Sequence, residues 1–282
     1  MPTAVAAIEV TRTAWDAVAP GYDEHVTDHN LGLGRTVLER VRVGPGVTVL
    51  DVASGSGAVA IPAAEQGAEV TAVDLSPVMV ERLARRAAAN GLDNLTVHVM
   101  DGEHLSLNDA TFDVTASQFG VMLFPDLRRG IAEMVRVTRP GGTVVLAVMG
   151  APTTEVEFIE FFLAAVHSVA PEALGPLQAG PLPPFRLADA EVLRRHLTGV
   201  GLRDVRIETV DYTISLEPTT SGKDLWEVVT NSNPIGAALV AGLNDEQGAE
   251  VRRILDRMLQ ERVASGDAFL HSPVHVATGL RS

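Results

Sequence analysis

Three aspartates in the first half of the chain share a setting in which a carboxylate could hold a cofactor. Asp51, Asp74 and Asp101 lie at the carboxyl ends of short apolar runs, residues 47–52, 69–73 and 96–100, and each is followed by small or turn-forming residues. Behind Asp51 runs Val52-Ala53-Ser54-Gly55-Ser56-Gly57-Ala58-Val59-Ala60, a small-residue loop that opens into a helical segment. A continuous apolar run reads as a buried parallel strand, and small residues after it let backbone and ligand approach closely. This is the loop of a nucleotide-type cofactor. Residues 55–60 also satisfy the G-x-G-x-x-G/A fingerprint of dinucleotide enzymes, so the loop alone leaves the cofactor undecided.

The carboxylates separate the candidates. A pyrophosphate would be repelled by a charge as close as Asp51, whereas a cationic ligand would be attracted. Asp74, closing Val70-Thr71-Ala72-Val73-Asp74, can accept hydrogen bonds from both ribose hydroxyls of an adenosine and disfavours a 2′-phosphate. Asp101-Gly102-Glu103 offers a carboxylate and a backbone N–H where an adenine edge could lie. An NAD-dependent dehydrogenase is thereby the weaker alternative. Singly, each feature has a plainer reading: Asp74 as a helix N-cap, Gly102 and Glu103 as ordinary turn residues.

These groups need a scaffold, and residues 44–150 supply one in which short apolar strands alternate with amphipathic helices. Strands are expected at 47–52, 69–73, 96–100, 112–118 and 143–149. Helices are expected at 58–66, at 77–90 with Ser76 as N-cap and Pro77 at N1, and at 126–138, the last stopping at the turn Arg139-Pro140-Gly141-Gly142. Such alternation builds right-handed βαβ units and a parallel sheet. Beyond Gly150 the pattern changes to a helix at 155–169, a loop over 171–184 with five prolines, a helix capped by Asp189, a strand at 204–216, helices within 223–264 and a last strand at 273–280. Two late strands complete a seven-stranded, mostly parallel sheet with helices on both faces, an α/β fold. The chain reads as a single domain, 1–282, with an N-terminal helical cap over 1–43, a cofactor-binding core over 44–150, and lid or insertion segments at 151–185 and 217–266.

Composition excludes several functions. With 36 acidic against 22 basic residues the formal charge is −14, which repels phosphate backbones and anionic lipid surfaces, so neither nucleic acid nor membrane is an expected partner. The absence of cysteine removes disulfides, thiolate nucleophiles and cysteine-bound zinc. No basic region followed by an apolar core begins the sequence and no apolar run is long enough to span a bilayer, so a cytoplasmic protein is expected. The expected partner is a small-molecule substrate, with a homodimer left open.

The ordered series VLDVASGSG, AVDLSPVMV, VMDGEHL, FDVTASQFG and RVTRPGGTVVLAV resembles the motif set of class I S-adenosylmethionine-dependent methyltransferases over roughly residues 12–150, about half the chain. It is most similar to the small-molecule branch that includes ubiquinone and menaquinone C-methyltransferases and natural-product enzymes. The resemblance implies a Rossmann-like sheet and S-adenosyl-L-methionine as cofactor. It also implies that Ala53, Gly55 and Gly57 let the backbone approach the methionine part, with Asp51 stabilising that end. Asp74 would hold the ribose, Leu75 and Met79 would pack on the adenine, and Asp101, Gly102 and Glu103 would read its edge. Ser117 and Gln118 would line the amino-acid end. Ala53 stands where the commonest family loop has glycine, a replacement usual in the quinone-type branch.

Methyl transfer from a sulfonium is an in-line displacement, so the protein has mainly to align the partners and keep the site dry. A base helps when the nucleophile is a phenol, an indole or an acidic carbon. The stretch Trp15 to Asp23 resembles the family segment whose aromatic residue, here Tyr22, closes over the cofactor. His25 and His29 follow, four residues apart, and His29 partnered by Tyr22 is the expected catalytic pair; no metal is expected. His98 reads as a core histidine, His104 as bordering the pocket, Glu155 and His167 as weak substrate-contact candidates, and Phe158, Phe161 and Phe162 as a core-facing stripe. The expected activity is methylation of a small, aromatic acceptor, with the carbon of a quinol, phenol or indole ahead of oxygen or nitrogen. A non-catalytic protein that merely binds the cofactor is the alternative from a different class.

Overall fold

The computed structural model describes residues 4–152, 155–174, 182–216 and 220–282, the side chains of residues 4–7 excepted. Two helices come first, α1 (Ala4–His25) and α2 (Thr27–Leu38). The alternating region follows as β1 (Thr48–Val52), α3 (Ala60–Glu65), β2 (Glu69–Asp74), α4 (Pro77–Ala89), β3 (Leu95–Val99), β4 (Phe112–Gln118), α5 (Leu127–Val137) and β5 (Thr138–Met149). The remainder is α6 (Glu157–Val169), α7 (Ala190–Gly199), β6 (Leu202–Ser215), α8 (Gly222–Ser232), α9 (Pro234–Val240), α10 (Asp245–Ala264) and β7 (Phe269–Arg281).

The seven strands form one sheet in the order β3-β2-β1-β4-β5-β7-β6. The first five pair in parallel, whereas β7 runs antiparallel to both β5 and β6. Strand order reverses between β1 and β4, and the carboxyl ends of strands beside such a crevice are where open α/β sheets bind ligands. Asp51, Asp74 and Gln118 all stand at those ends.

Local signals explain the helices that border this crevice. Ser76 accepts the Met79 N–H at 3.1 Å and Pro77 supplies the first helical residue of α4; Asp126 caps α5 through the Arg129 N–H at 3.0 Å. Reciprocal capping boxes start α8 (Ser221, Asp224) and α10 (Asn244, Gln247).

Among the described residues three large apolar cores result, beside a small cluster of Ala151, Val156 and Phe185. On one sheet face Leu33, Val37 and Leu38 of α2 pack with α3, Leu83 and Ala87 of α4 and the β-strand residues Val49, Val70, Val114 and Val145. On the other, α5 and α7 cover Leu50, Val52, Val73 and Leu146. A third core joins α6, α8, α9 and α10 with Leu216 and Leu270, the cap beyond the carboxyl ends.

Some expectations are corrected. The residues read as a turn, 139–142, lie within the bounds of β5, whose pairing with β4 breaks register between Phe112 and Val114; Gly141 takes a positive φ of 77° there. His98 is exposed rather than a core histidine, because β3 is an edge strand whose alternate side chains are not covered. Of the proline-rich stretch, residues 175–181 lie outside the described residues.

Candidate active site

The small-residue loop is shaped by the two aspartates that flank it. Asp51 is buried, and its Oδ2 accepts the Ala60 N–H at 2.9 Å in the first turn of α3. In a dinucleotide enzyme those N–H groups would face a pyrophosphate; here a side-chain carboxylate occupies them. Burial pushes Asp51 up to about 7, against the opposing pull of its backbone donors, with the neighbouring Asp74 charge adding to the rise. Asp74 takes the Gly55 N–H on Oδ2 and the Ser76 N–H on Oδ1, both at 2.8 Å, and burial raises its pKa as well. One carboxylate thus ties the loop after β1 to the turn before α4.

Within the loop Ala53 has φ 56°, a left-handed conformation that costs a residue with a Cβ about 1 kcal/mol and explains why glycine is commoner at such a place. Gly57 is demanded by packing: it has φ 104°, and a Cβ there would collide with Leu83 and Ile61. Gly102 has no room for a Cβ against the Phe124 ring.

A cavity of about 520 Å³ opens over the loop. Of the residues expected at a cofactor, Ala53, Gly55, Asp74, Leu75, Met79, Asp101, Gly102, Glu103 and Gln118 line it, together with both expected catalytic residues, Tyr22 and His29. Asp51, Gly57 and Ser117 do not. Asp51 is turned to α3, Gly57 to Leu83, and Ser117 Oγ accepts the Val121 N–H at 3.1 Å, so all three shape the wall from behind. Asp51 and Ser117 thus meet backbone N–H groups from behind the wall, where Asp51 can act on the methionine end through the loop or through water rather than by lining the cavity.

The third aspartate is held in a small knot. Asp101 accepts the Glu103 N–H on Oδ1 and meets His104 Nδ1 at 2.9 Å through Oδ2, while Glu103 Oε1 accepts the Asp126 N–H at 2.7 Å. Their three ligand atoms lie within 4.8 Å of one another, the one such grouping among the described residues, and their hydrogen bonds account for it without an ion.

The N-terminal helices close the cavity from the side. Asp16 of α1 accepts the Ser76 hydroxyl at 2.6 Å, and Asp23 pairs with Arg82 and Arg86 of α4 at 2.9 and 2.8 Å. Tyr22 therefore sits beside Gly55. Its hydroxyl accepts from Asn30 Nδ2 at 2.8 Å, and burial pushes the phenol up to about 12, so it is neutral at physiological pH.

The expected pairing of His29 with Tyr22 is corrected. Asn30, not His29, engages the Tyr22 hydroxyl, while the His29 ring lies against Tyr212, centroids 4.3 Å apart. His25 closes α1 and His29 belongs to α2, so a helix break separates them, yet both line the cavity. Desolvation holds the His29 imidazole below its ordinary pKa.

Sequence reasoning missed Asn30, Phe119 and Tyr212. Asn30 is buried and takes three contacts: Nδ2 to Tyr22, Oδ1 from the Tyr212 hydroxyl at 2.6 Å, and its carbonyl from Gln118 Nε2 at 3.0 Å. Phe119, with φ 57°, is held in the left-handed region by its N–H to the Ala147 carbonyl at 2.8 Å and by the Tyr212 ring at 6.0 Å. The signal that could have found Tyr212 is scarcity: the chain has two tyrosines, and both stand here.

Beyond this junction the cavity enters the cap. Phe158 and Phe162 of α6, Ile214 within the end of β6 and Leu216 just after it, Leu225 and Val229 of α8, Leu239 of α9 and Leu259 of α10 form its apolar wall. Phe158 and Phe162 thus serve core and cavity together, while Phe161 packs only in the core; Glu155 and His167 are exposed and away from it. The cavity has a polar half over the loop and an apolar half in the cap.

Comparison with known proteins agrees with this geometry. Residues 49–142 match the model of a methyltransferase domain. The chain is 33% identical over 165 residues to a demethylmenaquinone methyltransferase of Renibacterium salmoninarum, covering 55% of this chain and 67% of that protein. It is 34% identical over 169 residues to the nocamycin O-methyltransferase of Saccharothrix syringae, covering 57% and 59%. An uncharacterised protein of Mycobacterium tuberculosis is 36% identical over 175 residues, covering 62% and 60%. The aligned region is thus about 60% of the length of the first curated relatives. In fold, the YcgJ protein of Bacillus subtilis superposes with a TM-score of 0.57 at 17% identity, covering 90% of this chain and 98% of that one. A phosphoethanolamine N-methyltransferase of Haemonchus contortus, solved with S-adenosyl-L-methionine, gives 0.54 at 20%, covering 89% and 53%. With its loop, its strand-end carboxylates and its strand order, the chain belongs to the class I S-adenosylmethionine-dependent methyltransferases.

Proposed function

We propose that this chain transfers the methyl group of S-adenosylmethionine to a small, largely apolar acceptor. The observation that carries this reading is one cavity with two unlike halves, a polar one over the loop and an apolar one in the cap, meeting at Tyr22, Gln118 and Phe119. The residues present fit the cofactor. Gln118 Oε1 is buried without a partner, an acceptor suited to an ammonium group. Each Asp74 oxygen takes one backbone N–H and keeps a lone pair for a ribose hydroxyl. Ala53, Gly55, Asp74, Leu75, Met79, Asp101 and Gly102 would hold the cofactor, which supplies an electrophilic methyl on a sulfonium. In this reading residues 44–150 form the cofactor-binding core, and residues 1–43, 151–185 and 217–266 form the cap and lid.

The chain's own part is alignment and exclusion of water. Phe158, Phe162 and the leucines of the cap strip water from the acceptor, and Tyr22 closes the loop side. His29, with its lowered pKa, is neutral at physiological pH and able to take a proton from a phenol or an acidic carbon. Transfer to carbon of a quinol, phenol or indole is the preferred reading, supported by the demethylmenaquinone relative; transfer to oxygen is the second, supported by the nocamycin relative. A place in cytoplasmic natural-product or cofactor biosynthesis goes with both. Among the described residues no helix is long and apolar enough to cross a membrane.

Titration calorimetry with S-adenosylmethionine and S-adenosylhomocysteine tests the cofactor; absence of binding by either at high micromolar concentration defeats the proposal. Turnover across quinols, phenols and indoles then separates an enzyme from a protein that only binds. His29→Ala is expected to lower turnover about tenfold or more while S-adenosylhomocysteine affinity stays the same. Undiminished turnover would leave alignment as the whole of the catalysis.

A further inference from the structure

At the junction of the two halves the directions of three hydrogen bonds fix what the protein offers an acceptor. Asn30 donates to Tyr22, so the Tyr22 hydrogen is left to be given onward. Tyr212 donates to Asn30, so the lone pairs of its oxygen are left to receive. Gln118 gives one amide hydrogen to the Asn30 carbonyl, and its Oε1 is buried without a partner. Both phenols are held neutral, their pKa values raised by burial. Among the described residues no lysine or arginine lines the cavity, whereas Asp74, Asp101, Glu103 and Asp224 do. A carboxylate or phosphate on the acceptor would therefore find no lysine or arginine to pair with.

We propose that Tyr212, oriented by Asn30, is the specificity-determining residue that receives a hydroxyl or N–H hydrogen of an uncharged acceptor, and that anionic acceptors are refused. The proposal rests on the methyltransferase reading and narrows its substrate class. Tyr212 touches the acceptor; Asn30 is a positioning residue that acts through it. The sheet supports the arrangement, since Tyr212 lies on β6 opposite Ser272 of β7 and its ring is braced by His29 and Phe119.

The test uses three binding probes of one shape, β-naphthol, its methyl ether and β-naphthoate, with and without S-adenosylhomocysteine, on protein carrying fluorotyrosine. Fluorine NMR then shows two resonances, because the chain has two tyrosines. Naphthol is expected to bind and move the Tyr212 resonance, the ether to bind at least about tenfold more weakly, and naphthoate not to bind. Tyr212→Phe keeps the ring packing and is expected to erase the preference for naphthol over its ether. Asn30→Leu, which keeps the volume and removes both polar partners, should erase it as well. Asn30→Asp, which can still receive the Tyr212 hydrogen, should retain it, an outcome that space-filling alone would not produce. Naphthoate binding as well as naphthol, a preference that survives in Tyr212→Phe, or no naphthol binding to the wild type would each overturn the proposal. Failure of S-adenosylhomocysteine to bind defeats the methyltransferase reading instead, and the naphthol comparison without it still decides the role of Tyr212.

Discussion

A single carboxylate decides much at this site. Asp74 joins loop to helix through two backbone N–H groups and keeps acceptor capacity for the cofactor. Asp74→Ala is expected to weaken S-adenosylhomocysteine binding roughly ten- to hundredfold, the loss of a charge-assisted bond of about 1.5 to 3 kcal/mol, as calorimetry would read. Asp51 makes a different forecast. Its folded-state pKa of about 7 lies above its unfolded value, so the folded protein holds the proton more tightly. The stability it contributes is full below about pH 4 and is lost as pH rises to about 7. Denaturant melts across that window should show this decline in the wild type and a flatter profile in Asp51→Asn. At this scale the sequence was informative where a residue type has few alternatives at a strand end, as with Asp74 and Gln118. It was silent on Asn30 and Tyr212, which are brought together from positions 182 residues apart by β6 pairing with the last strand. It did not show that Asp51 accepts the Ala60 N–H, because an acid before a glycine loop looks the same whether it lines the cavity or faces the helix behind.

At the level of elements, the cap over the loop side hangs on one hydroxyl used twice. Ser76 begins α4 by accepting the Met79 N–H and also donates to Asp16 of α1. Ser76→Ala is expected to cost about 1 to 2 kcal/mol in denaturant melts and to weaken cofactor binding more than another lost N-cap would, since α1 loses its latch. A melt shift with unchanged affinity would show that Asp23 with Arg82 and Arg86 suffices to hold α1. Helix positions were readable because caps and apolar periodicity are local. The extent of β5 was not: the strand starts at Thr138, paired with Phe112, and resumes pairing at Thr143 after a register shift, so Arg139 to Gly142 lie within its bounds without partners in β4.

Across the whole molecule, the apolar half of the cavity is assembled from segments far apart in sequence, and a charged clasp fastens them. Glu157 of α6 accepts the His271 N–H of β7 at 2.7 Å and pairs with Arg262 of α10, while His271 Nδ1 meets Asp211 of β6 at 2.6 Å. The hydrogen bond to Asp211 is the first cause that lifts the His271 pKa. A raised folded-state value means that its stabilising effect is complete below about pH 6.5 and fades as pH climbs through that value. The group is over a third exposed, so the effect is small. Thermal melts from mildly acid to mildly alkaline pH should show a wild-type decline that His271→Asn lacks. The sheet and its helical faces could be foreseen because alternation of period survives in the sequence. The clasp could not, since its members owe their proximity to the cap's packing.

The place of β7 reaches beyond the site. It lies between β5 and β6 and pairs with each, whereas β6 touches the sheet only through it. During synthesis β6 precedes β7, and until β7 is made it has α7 to pack on but no strand of the sheet to pair with. The strand that bears Tyr212 is therefore expected to join the sheet only together with β7, after the core over the loop has had time to form.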